Sequence, residues 1–290
     1  MQIAIQGETG SFSHEAALRF ASELMLDSVH VQPCALSPEV FERLVTRQAD
    51  AAVIPIENTL AGSVLEHYDL LLAHPVRIEA ELLLRIRHHL IVAPGVPLST
   101  VREVYSHPVA LAQCRNFFAA HPALQALPFY DTAGSAAHAV SSGGAVAGIG
   151  SEHAASTYGG EVLLAGIEDH AANYTRFLLL RACTTAASIV SDSKAGPNIP
   201  DKVSLAFAVP NLSGSLVAAL QTFARHGLNL TRLESRPVPG SPWQYVFYVD
   251  YQLANTESAG QAIAELTAKC SFVKELGRYR TASSLAAAEQ

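Results

Sequence analysis

The sequence predicts an α/β protein that ends in a smaller β-α-β-β-α-β unit. Strand and helix patterns alternate from residue 1 to about residue 180, which is typical of an α/β architecture with largely parallel sheets. The composition then shifts to Thr, Ala, Ser, Gly and Pro over residues 184–200, as expected of a linker. Beyond the linker, six further elements follow within roughly 75 residues.

In the first region, the period of the apolar residues assigns the elements. Ile78–Ala93 predicts one long extended element, and a serine cap opens the first helix. The region forms either one doubly wound sheet or two small lobes. Strands are predicted at Gln2–Gln6, Ala51–Ile56, Ala145–Ile149 and Arg176–Arg181, and helices at Ser13–Glu23, Ser63–His74, Leu111–Ala120 and Ser135–Ser141.

In the C-terminal region, Gly227 predicts a left-handed helix cap and Pro237–Pro242 a turn. The element order is ferredoxin-like. The tail Thr281–Gln290 is rich in Ala and Ser and is expected to fray. Strands are predicted at Val203–Val209, Leu228–Arg236, Trp243–Gln252 and Phe272–Arg278, and helices at Ser213–His226 and Glu257–Cys270.

The composition excludes several classes of protein. The chain has 290 residues, 49% of them hydrophobic and 16% charged, which describes two or three globular domains rather than a disordered chain. Its net charge of −7 argues against a general binder of nucleic acids or anionic membranes. An anionic substrate would therefore have to be held by local cations and backbone amides.

The cysteines and the N-terminus predict a cytoplasmic protein. The four cysteines are far apart and form no CxxC pair, so buried, reduced thiols are expected. The first six residues are predicted to form a strand and include no basic segment, which argues against a signal peptide.

Two familiar motifs fail on inspection. His14-Glu15 begins an HExxH sequence, but Leu18 stands where the second histidine belongs. Gly148-Ile149-Gly150 resembles a dinucleotide loop, but His153 occupies the third glycine position, so capping and close packing explain it better. We expect no metal and no cofactor.

Four segments are polar where structure alone would not require polarity. They are residues 7–14, residues 55–59, residues 106–108 with the downstream Gln113, and residues 173–177. Each segment alone could be an ordinary turn or cap. Together they fit the rule that ligands bind beyond the carboxyl ends of strands in α/β proteins.

These segments resemble the prephenate dehydratase family. The matches are the GxxGSFSHEAA-like opening, PIEN at Pro55–Asn58, SHP followed by ALAQC, and the NxTRF block at Asn173–Phe177. Asn211–Leu216 and the ESRP sequence that starts at Glu234 are similar to the phenylalanine-binding motifs of the family's ACT domain. Three positions depart from the family pattern: Val109 after SHP, Thr59 after PIEN, and Ser215 in the effector motif.

The resemblance implies a fold and a function. It implies a catalytic domain over 1–183 made of two α/β lobes like a type 2 periplasmic binding protein, a linker over 184–200, an ACT domain over 201–280 and a tail over 281–290. The implied enzyme is a cytoplasmic lyase of phenylalanine biosynthesis that converts prephenate to phenylpyruvate, self-associates as a dimer or tetramer, and is regulated by L-phenylalanine.

The resemblance also implies three groups of residues. The catalytic group is Thr175, Asn58, Gln113 and Ser106. The substrate-binding group is Thr9, Ser11, Ser13, Glu57, His107, Asn173, Arg176 and Phe177. The effector-binding group is Asn211, Gly214, Ser215, Leu216, Asn229, Leu230, Glu234, Ser235 and Arg236.

Thr175 and Arg176 pose a difficulty, because neighbouring residues face opposite sides of a regular strand. By resemblance, Thr175 donates to the leaving hydroxyl, with support from Asn58, Gln113 or a water. Either the strand is irregular and Arg176 clamps the substrate, or Arg176 is structural and pairs with Glu57. Both alternatives remain open at this point. In either case, Glu57 is expected to be an orienting residue rather than a general acid.

Two rival functions remain. Arogenate dehydratase performs the same chemistry with an amino group in place of the keto group, and no residue separates the two. A non-catalytic sensor with a two-lobed ligand domain belongs to a different class, and Thr175 beside Asn173 argues against it.

Overall fold

The computed structural model of this chain describes residues 1–26, 28–183, 199–238 and 243–282. These residues form two compact units. The first comprises Met1–His67 and Leu82–Leu179, and the second comprises Tyr68–Glu81 with the residues from Leu180 onward. The predicted linker and tail lie outside the described residues except at 199–200 and 281–282.

The first sheet contains the strands that carry most of the predicted polar segments. Its strand order is β2-β1-β3-β11-β5, with the short β4 pairing with β3, and β1 is parallel to β2 and β3. β5 and β11 both cross the boundary between the units. The bounds are β1 (Gln2–Gln6), β2 (His30–Cys34), β3 (Ala51–Asn58), β4 (Gly62–Ser63), β5 (Val76–Arg85) and β11 (Tyr174–Ala182).

The second sheet lies wholly within the first unit and is mixed. Its order is β10-β6-β9-β7-β8, in which β7 is parallel to β8 and β9 whereas β6 is antiparallel to β9 and β10. The prediction of largely parallel sheets therefore holds only in part. The bounds are β6 (His89–Val92), β7 (Glu103–Ser106), β8 (Gln125–Pro128), β9 (Val146–Gly150) and β10 (Glu161–Leu164).

Side-chain caps fix where several helices begin. Ser11, Asp131 and Ser151 each accept a hydrogen bond from a backbone N–H of the first turn of the helix that follows. Gly148 in β9 lies very close to the helix Thr132–Ser142. A Cβ atom on Gly148 would stand 2.5 Å from the carbonyl oxygen of Ser135 in that helix. Close packing and capping thus explain the GIG sequence, as predicted. The helices are α1 (Phe12–Glu23), α2 (Ser37–Val45), α3 (Leu65–Ala73), α4 (Pro108–Ala112), α5 (Arg115–Ala120), α6 (Thr132–Ser142) and α7 (Glu152–Tyr158).

The second unit contains the predicted β-α-β-β-α-β order, which is confirmed. Its sheet has the antiparallel order β13-β14-β12-β15. The helices cover a core that includes Val203, Phe207, Phe223 and Tyr251. The bounds are β12 (Lys202–Ala208), α8 (Ser215–Arg225), β13 (Leu230–Pro237), β14 (Tyr245–Gln252), α9 (Thr256–Lys269) and β15 (Phe272–Tyr279).

Residues 68–81 pack against this sheet within the second unit. Lys274 Nζ donates to the carbonyl oxygens of Leu71, Leu72 and His74, each at 2.9 Å. These are carbonyls at the end of α3, which a helix leaves without intrahelical partners. Tyr248 Oη donates to the Tyr68 carbonyl at 3.1 Å. Segment 68–81 is therefore an integral part of the second unit.

Several predicted elements needed correction. The extended element Ile78–Ala93 is two strands in different sheets. Leu111–Ala120 spans two short helices, with Gln113 between them as the C-cap of α4. α1 begins at Phe12 with Ser11 as its cap. Strands β2, β4, β7, β8 and β10 and helices α2 and α7 received no assigned bounds from the sequence. β2 carries Pro33 and lies at a sheet edge, which blurs its pattern.

Two further observations bear on the earlier expectations. Cys34 and Cys114 are buried thiols, whereas Cys183 and Cys270 are partly exposed, so the expectation of burial holds for the first pair only. Among the described helices, none has the length and apolar composition that a membrane span requires.

Candidate active site

Asn58, at the end of β3, holds the Thr175 hydroxyl at the start of β11. Its Nδ2 donates to Thr175 Oγ1 at 3.0 Å, to Asn173 Oδ1 at 2.7 Å and to the Tyr174 carbonyl at 3.2 Å. β3 and β11 are neighbours in the first sheet, which places these side chains together. Thr175 is only 8% exposed.

The hydrogen bonds continue from Asn58 through the side-chain amides of Asn173 and Gln113 to a histidine. Asn173, which is fully buried, donates from Nδ2 to Gln113 Oε1 at 3.0 Å. His88 Nε2 lies 2.9 Å from the same Gln113 oxygen. We refer to Asn58, Asn173 and Gln113 as the amide chain, with Thr175 at one end and His88 at the other.

The direction of the hydrogen bonds in the amide chain is set at Asn58. Its Oδ1 accepts from the backbone N–H groups of Leu60 at 2.9 Å and Ala61 at 2.8 Å, so its Nδ2 must face Asn173 and Thr175. Thr175 Oγ1 is therefore an acceptor toward Asn58. Its hydroxyl hydrogen has no acceptor among the described residues and remains available to a ligand.

The backbone around the amide chain is held by residues 167–169. The Asp169 N–H donates to the Gln113 carbonyl at 2.7 Å, and the Asp169 carboxylate caps α5 by accepting from the N–H groups of Arg115 and Asn116. The His88 N–H donates to Glu168 Oε2 at 2.9 Å. The position of Gln113 between α4 and α5 is thereby fixed.

His88 is a buried, neutral imidazole. The residue is 2% exposed, and burial lowers the pKa of His88 more than the hydrogen bond to Gln113 and the nearby Glu168 raise it. The ring of Phe12, the first residue of α1, contacts it edge-on with centroids 5.9 Å apart. The N-terminus of α1 therefore lies beside the amide chain.

Sequence reasoning missed His88, Glu168 and Asp169. None of the three belongs to the four polar segments singled out in the sequence. A usable signal was present, because two histidines interrupt the largely apolar segment 86–92, and two acids directly follow the apolar segment 162–167. Their partners are distant in sequence, so the signal carries no indication of what they contact.

The predicted loop 7–14 is a helix N-terminus whose amides are partly engaged. His14 Nδ1 accepts from the Gly10 N–H at 2.9 Å, and Ser11 Oγ accepts from the His14 N–H. The Thr9 carbonyl accepts from Tyr158 Oη. Ser13 lies buried in the first turn of α1. The N–H groups of Phe12 and Ser13 have no acceptor among the described residues, so they can face an anion.

Arg176 is paired with Glu57. Its Nε lies 3.2 Å from Glu57 Oε1, and its side chain is 6% exposed. Burial of the guanidinium beside a carboxylate favours the alternative in which Arg176 is structural.

Three predicted residues have other contacts. Ser106 is fully buried and donates to the Ile149 carbonyl at 2.7 Å. His107 caps α4 by accepting from the Val109 N–H at 3.2 Å. Phe177 is buried at 1% exposure. None of the three hydrogen-bonds to the amide chain within the described part of the protein, so their hydrogen bonds and burial support structural roles.

The predicted effector residues lie in the second unit, around the start of α8 and along the edge strand β13. Gly214 adopts φ +82° as the residue before α8, and Asn229 Nδ2 donates to Gln252 Oε1 at 3.0 Å. Glu234 pairs with Arg232 at 3.2 Å, and Arg236 donates to Asp69 Oδ2 at 2.6 Å. The remaining residues of this group are Asn211, Ser215 and Leu216 near α8 and Leu230 and Ser235 on β13.

Comparison with known proteins agrees with this arrangement. A family model described as prephenate dehydratase matches residues 3–184. A bifunctional chorismate mutase/prephenate dehydratase of Aquifex aeolicus is 36% identical over 283 residues, which cover 96% of this chain and 73% of the relative.

Two solved structures are similar over nearly the whole chain. The prephenate dehydratase of Arthrobacter aurescens in complex with L-Phe has a TM-score of 0.83 and 28% identity, with 97% of this chain and 90% of that chain covered. GqqA, described as a novel type of quorum quenching acylase, has a TM-score of 0.83 and 30% identity, with 99% and 100% covered.

The family model covers more than half of the chain, and its range contains Thr175, the amide chain and His88. The relative from Aquifex aeolicus extends the similarity through the C-terminal unit. The chain therefore belongs to the prephenate dehydratase family, an enzyme family of hydro-lyases.

Proposed function

We propose that this protein converts prephenate to phenylpyruvate, with Thr175 donating a hydrogen bond to the leaving hydroxyl. One observation carries the assignment of Thr175. Asn58 donates to Thr175 Oγ1, so the threonine is left with its hydroxyl hydrogen as the group it can offer to a substrate. A ligand hydroxyl within reach of this hydrogen would be recognised as an acceptor.

The reaction needs little beyond such a donor. The bond between the ring and its carboxylate breaks and releases CO2, and its electron pair enters the ring. The C–O bond then breaks with its electron pair, so that the leaving oxygen takes up a proton and departs as water. Aromatisation drives both changes. A threonine hydroxyl is too weak an acid to lose its proton outright, so Thr175 acts as an oriented donor or proton relay.

Charge at the two carboxylates of the substrate decides where cations help. The ring carboxylate loses its charge in the transition state, so a cation paired to it would stabilise the ground state more and slow the reaction. The side-chain carboxylate keeps its charge. The N–H groups of Phe12 and Ser13 at the start of α1 suit that carboxylate, since a helix N-terminus favours anions. Arg176 is already paired with Glu57 and is not required for this role.

The architecture supports a closing site. We propose that the two sheets of the first unit are two lobes like those of a type 2 periplasmic binding protein, with the substrate between them. Asn58 and Thr175 belong to the first sheet, whereas Gln113 follows β7 of the second sheet. Closure would exclude water from the reacting centre.

The second unit is proposed to be an ACT domain that binds L-phenylalanine and lowers the activity. The β-α-β-β-α-β order supports this proposal, as does the L-Phe complex of the Arthrobacter aurescens relative. The domain boundaries proposed from the sequence are 1–183, 184–200, 201–280 and 281–290. We also propose that the protein self-associates as a dimer or tetramer and is located in the cytoplasm.

Acylase activity, the description given to GqqA, requires a nucleophile activated by a base. Thr175 Oγ1 accepts from an amide, and no base contacts it in the described part of the chain. The site geometry therefore favours dehydration.

The deciding experiment measures phenylpyruvate formation from prephenate by the purified protein, with and without phenylalanine. Thr175→Val keeps the shape of the side chain but lacks the hydroxyl, so we expect kcat to fall by about 100-fold or more, as for loss of a general acid. Thr175→Ser should retain most of the activity. Absence of turnover by the folded wild-type protein would refute the proposal, and arogenate would then be tested as the substrate.

A further inference from the structure

His88 lies at the end of the amide chain opposite Thr175 and makes no hydrogen bond to the Thr175 hydroxyl. Its Nε2 lies 2.9 Å from Gln113 Oε1. Its Nδ1 is buried and has no hydrogen-bond partner within the described residues. A buried histidine with one engaged nitrogen calls for an explanation, because an unpaired buried polar atom costs stability.

We propose that His88 is a positioning residue for the dehydration, because its Nε2–H holds the Gln113 side chain with its oxygen turned inward and its NH2 group turned toward the ligand. This inference rests on the function proposed above. It adds a residue that lies outside the motifs by which the sequence resembles the family.

The direction of each hydrogen bond follows from the anchor at Asn58. Two backbone N–H groups occupy Asn58 Oδ1, so Asn58 Nδ2 faces Asn173 and makes the facing Asn173 atom an oxygen. Asn173 then presents its NH2 to Gln113, and the facing Gln113 atom is also an oxygen. An oxygen at Gln113 requires a donor on His88, so the proton of the neutral ring resides on Nε2.

Gln113 needs this tether because its own element is short. It follows a helix of five residues and precedes another of six, so packing within the helix supplies little to fix its side chain. With both donors in place, Gln113 Oε1 accepts two hydrogen bonds, and its Nε2 has no acceptor in the part of the chain that the structure describes. Without His88, only the Asn173 contact would remain, and the amide could rotate about it.

The consequence concerns the reaction rather than binding. The Gln113 NH2 group and the Thr175 hydroxyl are two donors of this cluster that have no acceptor among the described residues. Donors that are fixed before the reaction stabilise the developing charge on a leaving oxygen without reorganisation. Displacement of such a group by about 1 Å can cost about 100-fold in rate.

The test compares three variants. His88→Phe removes the donor and retains an aromatic ring, whereas His88→Gln can place an NH2 group near the position of Nε2. The matched control is His89→Phe, because His89 is also a buried histidine with an unpaired Nδ1 but makes no contact with the amide chain among the described residues. Steady-state kcat and KM for prephenate are measured together with the thermal unfolding midpoint.

We expect His88→Phe to lower kcat by about 10- to 100-fold with KM changed by less than about threefold. His88→Gln should recover most of kcat, and His89→Phe should match the wild type in kcat even if it unfolds at a lower temperature. Equal kcat in the wild type and in His88→Phe would overturn the inference. Turnover absent from the wild type would instead refute the proposed function, and the inference with it.

A double-mutant cycle tests whether His88 acts through Gln113. In a Gln113→Met background, His88→Phe should cause no further loss of kcat, because the group it positions is already absent. Independent, additive losses would contradict the mechanism. If His88→Phe does not fold, the tautomer of His88 in the wild-type protein still tests the inference. Nitrogen NMR of the ring should show a proton on Nε2 and none on Nδ1. The opposite tautomer would overturn the assignment.

Discussion

Glu57 Oε1 lies 3.2 Å from Arg176 Nε, and these two residues adjoin Asn58 and Thr175 in the sequence. β3 and β11 therefore form an ion pair and an amide–hydroxyl contact at successive positions. The guanidinium charge is compensated within the sheet before any substrate arrives. Glu57 and Arg176 are best understood as holding the two strand ends together.

Arg176→Gln is the variant that separates a structural role from substrate binding. Because the guanidinium is buried beside Glu57, its loss removes this ion pair but leaves a carboxylate that is 35% exposed to water, and we expect the free energy of unfolding to fall by about 1 to 2 kcal/mol. KM for prephenate should change by less than about threefold. Urea unfolding and steady-state kinetics measure the two effects. A rise in KM of about tenfold or more with unchanged stability would instead assign Arg176 to the substrate carboxylate.

Asn58→Asp should abolish most of the activity. The new carboxylate cannot donate to Asn173 Oδ1 or to Thr175 Oγ1, and the Thr175 hydroxyl would turn its hydrogen toward that carboxylate. We expect kcat to fall by about 100-fold or more. Thr59→Ser is the control, because a serine hydroxyl keeps both the bond to the Ala172 carbonyl and the bond from the Tyr174 N–H. Activity retained in Asn58→Asp would show that the direction of the amide chain is irrelevant.

Buried histidines should make the protein less stable in acid. Burial lowers the pKa of His67, His88 and His89 below 6.5, so the unfolded chain binds protons at a pH where the folded protein does not. Their contribution is complete above about pH 6.5 and is lost as the pH falls through the lowered folded-state pKa values. Each histidine adds a slope of at most about 1.4 kcal/mol per pH unit.

His67 allows a direct check of this pH dependence. It is fully buried, with Nδ1 2.5 Å from the Pro55 carbonyl and Nε2 2.9 Å from Ser37 Oγ. His67→Gln should show a shallower loss of unfolding free energy than the wild type between about pH 7 and about pH 5. Urea titrations at several pH values measure both slopes. Identical slopes would mean that His67 does not contribute.

Asp69 should control the response to phenylalanine if Arg236 binds the effector. The carboxylate of Asp69 accepts from Arg236 Nη2 at 2.6 Å and raises the arginine's pKa, so an effector carboxylate would have to compete with it. Asp69→Asn should lower the phenylalanine concentration for half-inhibition by about two- to fivefold, the scale of one partly exposed ion pair. Glu79→Gln, which removes a carboxylate partner of Arg181 in the same unit, should leave it unchanged. No difference between the variants would exclude Arg236 as the carboxylate ligand.

The sequence predicted those parts of the fold that depend on local signals. The β-α-β-β-α-β order could be read because each element has its own period and Gly227 does adopt a positive φ of 65° after α8. The single extended element over Ile78–Ala93 was wrong, because its interruption depends on distant groups. Ile86 donates to the Asn173 carbonyl and His88 to Glu168, so the chain leaves the first sheet there.

The same limit applies to the site. Motif segments supplied Asn58, Gln113, Asn173 and Thr175, and the structure brings these four side chains together. His88 carried no motif, and its contact to Gln113 spans 25 positions. Ser106 also came from a motif segment, but its hydroxyl donates to a backbone carbonyl, so its catalytic role stays a prediction.

Segment 68–81 has a practical consequence for dissecting the protein. The change in composition at residue 184 and the end of the family match suggest a cut at that point, which would release the catalytic region as a fragment. Such a fragment would still carry Tyr68–Glu81 but would lose Lys274 from the end of α3 and Tyr248 from the Tyr68 carbonyl. Apolar surface and orphaned carbonyls would become solvent-exposed on it. Truncation at the apparent linker would therefore yield an aggregation-prone product rather than an unregulated enzyme.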